Sequence, residues 1–199
     1  GVSSATTSGA LGMVTADSAA GGVSGYVVLS AGASTKGNTG AMYVGSGTST
    51  SGRGGSLYVT VGSGNSGSGG ELVMSAGNSD MHSGGRVVLR TGYGSATTSG
   101  SLYVATADSA AANGVSGYMV FSTGTAAEGN SGSMLLGSGT STSGRGGLLS
   151  VTVGSGDSGA GGDMILTAGG TSDSIATSTG GQVHLSAGTA ASQTGGRVW

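Results

Sequence analysis

Residues Gly25–Gly32 read GYVVLSAG, and the fold class turns on how that phrase is read. A glycine leads, apolar side chains stand two, three and four places on, and small residues with a second glycine follow. The phrase returns as GAMYVGSG from Gly40, GSLYVTVG from Gly55, GELVMSAG from Gly70 and GRVVLRTG from Gly85. It continues as GSLYVATA from Gly100, GYMVFSTG from Gly117, GSMLLGSG from Gly132, GLLSVTVG from Gly147, GDMILTAG from Gly162 and GQVHLSAG from Gly181. GALGMVTA from Gly9 is an earlier copy, and GRVW runs out at Trp199.

Calling each leading glycine place 0, most copies start 15 residues apart, with longer steps after Gly9, Gly100 and Gly162. A fixed period takes precedence over any local reading of secondary structure. A longer period lies above it: GSGTSTSGRGG at Gly45–Gly55 recurs at Gly137–Gly147, and TADSAA at Thr15–Ala20 recurs at Thr106–Ala111. Six repeats therefore form one super-repeat, the first over about 9–99 and the second over about 100–195. The array reads as one domain and as a piece of a longer repetitive polypeptide.

Apolar residues at places 2 and 4 give period-two alternation, which is a strand signal. Val27, Met42, Leu57 and their equivalents hold place 2, and Leu29, Val44, Val59 and theirs hold place 4, without a polar exception. Like residues stacked every fifteen positions predict an all-β fold: a thin parallel β-solenoid whose rungs rise about 4.8 Å each, with both columns turned inward. An up-and-down antiparallel β repeat is the alternative, because a spacer of eight residues can itself be a strand. Spacers of glycine and small polar residues suit tight corners, and the longer ones at 15–24, 106–116 and 170–180 are expected to bulge as loops.

Place 3 breaks the expected alternation. Val28, Tyr43, Tyr58, Val73, Val88, Tyr103, Val120, Leu135 and Ile165 stand there, with Gly12, Ser150 and His184 in three other copies, where a solvated strand face would be polar. A continuous apolar strip marks an interface, so these nine residues are the predicted assembly interface. Cover by a longer loop of the same chain is the bland alternative.

Composition narrows the partners. The chain holds 47 glycines, no proline and no cysteine, so disulfides and thiolate metal sites are excluded. Only 7% of residues are charged and the net charge is −2, which removes the basic patch that nucleic-acid binding requires. No run of 18 apolar residues exists to make a membrane-spanning helix. The eight acids are spread thinly, His82 and His184 are far apart, and the nearest approach to a cluster is Asp80 with His82 in one spacer. Neither a catalytic constellation nor a phosphate loop is present, so no enzyme activity, cofactor or metal is expected. The serines and threonines of the spacers can accept O-linked sugars.

The array resembles the Gly/Ser/Thr-rich β-solenoid repeat proteins of extracellular fibres and surface appendages of microorganisms, in composition and period. That resemblance implies a structural subunit of an extracellular filament, fibre or cell-surface scaffold. Its copies would associate end to end and through the place-3 column. The repeated TST at Thr48–Thr50 and Thr140–Thr142 also resembles the ladders of ice-binding solenoids, on two repeats only. The alternative reading is accordingly a carbohydrate- or ice-binding module using a flat Ser/Thr/Gly face.

Overall fold

A computed structural model describes residues 8–110, 114–173 and 178–199. Contact density divides the chain into two halves, Gly1–Leu102 and Tyr103–Trp199. Among the described residues neither half contains a helix or a β-strand. The expected all-β solenoid is therefore corrected, and so is its antiparallel alternative: the described parts of the repeats are irregular coil. The expected loops at 106–116 and 170–180 lie partly outside the described residues.

Surface area expresses the same result. The chain exposes 19804 Å², whereas a folded monomer of this mass exposes roughly 8,200 Å² and an unfolded chain roughly 27,000 Å². No described residue is buried, so the columns at places 2 and 4 do not line a core. The physical reason lies in what each repeat can bury. Covering one Val, Leu or Met side chain contributes about 1.5–3 kcal/mol, while ordering one residue's backbone costs about 1–2 kcal/mol. Two such side chains therefore offset the ordering of only a handful of the fifteen residues. The return segment of glycine and serine adds no further apolar area.

Backbone pairing also goes elsewhere than into a ladder. The Gly85 N–H donates to the Gly77 carbonyl at 2.9 Å, Gly100 to Gly92 at 3.0 Å, Gly181 to Gly169 at 2.8 Å and Gly196 to Gly188 at 2.8 Å. Each bond ties the start of a spacer to the next leading glycine, closing the spacer into a loop with a pinched neck. The side chain at place 6 completes the neck. A β-carbon placed on Gly70 would lie 2.6 Å from Val61 Cγ1, and one on Gly162 would lie 2.7 Å from Val153 Cγ1. Only glycine permits that approach. The same pairing joins Ala31 to Gly40, Ala76 to Gly85, Thr91 to Gly100 and Ala187 to Gly196.

Where place 6 is a serine, its hydroxyl makes the clasp. Ser46 Oγ donates to the Gly55 carbonyl at 2.9 Å, and Ser138 Oγ to the Gly147 carbonyl at 3.0 Å. Thr15 Oγ1 does the same to Gly25 at 3.2 Å. The long first spacer thus closes at its base like the short ones, and it turns through the bond from the Gly22 N–H to the Ala19 carbonyl.

Beyond the neck each regular spacer bends once, for example at 35–37, 50–52 and 65–67, and again at 127–129, 142–144 and 157–159. Among the described residues left-handed backbone appears only at glycines, with φ of 81° at Gly21, 105° at Gly37 and Gly67, 102° at Gly129 and 89° at Gly159. Gly37 and Gly129 are corresponding residues of the two super-repeats, as are Gly67 and Gly159. Ala76, Thr91, Ala168 and Ala187, all at place 6 beside a backbone clasp, are half-buried. Gly94 and Ser178, in spacers, have comparable cover, so most but not all of the coverage among the described residues lies at the necks.

Candidate assembly surface

All nine place-3 residues are exposed, from 62% at Val88 to 94% at Tyr43. Place 2 is the best covered of the three apolar places, yet from Val27 to Val198 it remains 43–63% exposed. The three apolar places thus form a gradient of exposure. They do not divide into an inner and an outer face.

The second half shows what this does locally. Phe121, Met134, Leu135 and Leu136 line an open, almost wholly apolar recess of about 250 Å³. Leu135 belongs to the predicted interface, whereas Phe121 and Leu136 were assigned inward at place 4 and Met134 inward at place 2. Sequence reasoning missed that these residues share one surface. The signal was present in Met134-Leu135-Leu136, three consecutive apolar residues with no polar one between them. A run of that kind can present all its side chains to the same partner once no neighbouring strand enforces the pleat.

The polar residues do local work. In the bend at 80–82 the His82 N–H donates to Ser79 Oγ at 3.0 Å, a side-chain clasp typical of turns. The Asp80–His82 pair is thereby placed in a loop closed on itself. Ser178 Oγ donates to Asp173 Oδ2 at 2.9 Å, and the Asp173 N–H to Thr171 Oγ1 at 3.1 Å. Among the described residues no three His, Cys, Asp or Glu side chains gather to hold a metal ion. No helix of the described residues is long and apolar enough to cross a membrane. In the last repeat the Arg197 guanidinium lies 5.6 Å from the centroid of the Trp199 ring. A cation–π contact at an exposed site contributes about 0.5–1 kcal/mol. The terminal GRVW is coil, like the phrases before it.

No protein-family model, curated protein or solved structure matches the chain. The surface chemistry is therefore the basis for assigning a role.

Proposed function

We propose that this chain is a self-associating structural protein, a subunit of an extracellular filament, fibre or cell-surface scaffold. The observation that carries the proposal is that the large apolar side chains of every phrase are exposed and none of the described ones is buried. Monomeric soluble proteins rarely leave contiguous apolar patches beyond a few hundred Å² uncovered. The occupant that fits this surface is a second copy of the same chain. Two copies share the same spacing of phrases, mostly 15 residues, so their apolar places match in register along the array. With a net charge of −2 and 7% charged residues, copies repel one another little on approach. Association is lateral, phrase against phrase. The end-to-end stacking expected of a solenoid needs strand edges, and the described residues supply none.

Sedimentation velocity over a concentration series tests the proposal, with electron microscopy of the concentrated sample. The expected result is a weight-average mass that rises steeply with concentration and elongated assemblies in the images. A chain that sediments as a monomer throughout the series refutes it.

A further inference from the structure

Six of the seven methionines stand on the apolar places: Met42, Met119, Met134 and Met164 at place 2, and Met13 and Met74 at place 4. Only Met81 lies in a spacer. All are open to solvent, from 43% exposure at Met119 to 85% at Met81. Met134 also lines the apolar recess with Phe121. We infer that these six thioethers are oxidation sites for small hydroperoxides, and that their conversion to sulfoxide switches off association. The inference rests on the self-association reading above.

The chemistry is a two-electron oxygen transfer. The thioether sulfur attacks the terminal hydroperoxide oxygen, and an S–O bond forms as the O–O bond breaks. The other oxygen takes up the proton from the transferred oxygen and leaves as water from hydrogen peroxide or as an alcohol from an organic hydroperoxide. Sulfur is oxidised and the peroxide is reduced, with no further reagent. The product replaces a polarizable apolar group with a strongly polar acceptor. In an apolar contact between copies that acceptor would be desolvated without a donor, which is costly. With no cysteine in the chain, methionine is its readily oxidised sulfur. The exposure that leaves the columns free for a partner also leaves every sulfur within reach of a small oxidant. Association and oxidation therefore compete for the same atoms.

The test treats the full chain with dilute hydrogen peroxide, maps sulfoxides by peptide mass spectrometry and measures association by sedimentation velocity. Oxidation at places 2 and 4 is expected to raise the concentration at which association begins by roughly tenfold or more. Methionine sulfoxide reductase should restore the original value. A variant with the six column methionines replaced by leucine should associate equally well before and after peroxide, whereas Met81→Leu should stay as sensitive as the parent. Oxidised parent that associates like untreated parent overturns the inference and leaves the self-association reading intact. Loss of sensitivity in Met81→Leu overturns it as well. An untreated parent that never associates overturns both.

Discussion

Replacing Tyr43, Tyr58 and Tyr103 together by threonine separates the apolar surface from everything else in the chain. The three rings are 94%, 84% and 88% exposed, so the isolated chain gains little from them. Covered by a partner, each aromatic removes about 150–250 Å² from water. At about 25 cal/mol per Å² the lower figure corresponds to roughly 4 kcal/mol per ring. Immobilising side chains and losing translational freedom consume much of that gain. About 1 kcal/mol per ring is a conservative remainder, and three such contributions lower the association constant roughly a hundredfold. The assay is sedimentation velocity on parent and variant at matched concentrations, with circular dichroism on dilute samples. The dilute spectra should superimpose, and the onset of association should move to higher concentration. Tyr93→Thr is the control, because Tyr93 is 87% exposed but lies in a spacer. The reasoning is refuted if the triple variant associates like the parent, or if Tyr93→Thr weakens association as much.

Two further outcomes are expected. Leu102→Asp should leave the spectrum of the dilute chain unchanged, because Leu102 is 63% exposed; its effect should appear as weakened association, since a desolvated charge at a contact is costly. Gly70→Ala should open one neck, because the added methyl would lie 2.6 Å from Val61 Cγ1; nuclear Overhauser contacts between residues 61 and 70 should be lost while those at the Gly77–Gly85 neck persist.

The period, the leading glycine and the apolar residues at places 2 and 4 were legible in the sequence because each repeats at a fixed place. The loop closures were half legible. Place 6 is always Ala, Ser, Thr or Val, from Thr15 to Ala187, and the glycine it meets opens the next phrase. Neither regularity by itself says that the two residues touch, because their contact requires the folded loop. The strands were misread for a physical reason. Alternation at Val27 and Leu29 signals a pleat only if a neighbouring strand takes up the backbone groups. Here Gly77 and Gly85, or Gly92 and Gly100, bond to each other across the spacer. The division into inward and outward columns fails with the strands, since Val28 sits between Val27 and Leu29 with no polar residue to set a face.

The neck also decides where the chain can grow. Between place 6 and the next leading glycine the spacer holds eight residues in Ala31–Gly40, nine in Thr15–Gly25, ten in Thr106–Gly117 and twelve in Ala168–Gly181. In every case the glycine comes into van der Waals range of its place-6 partner. Added length therefore falls between two residues that still meet at the base of the loop. The base of each loop is thus a natural insertion site: sequence added between the place-6 residue and the next leading glycine should leave the contact between those two residues in place.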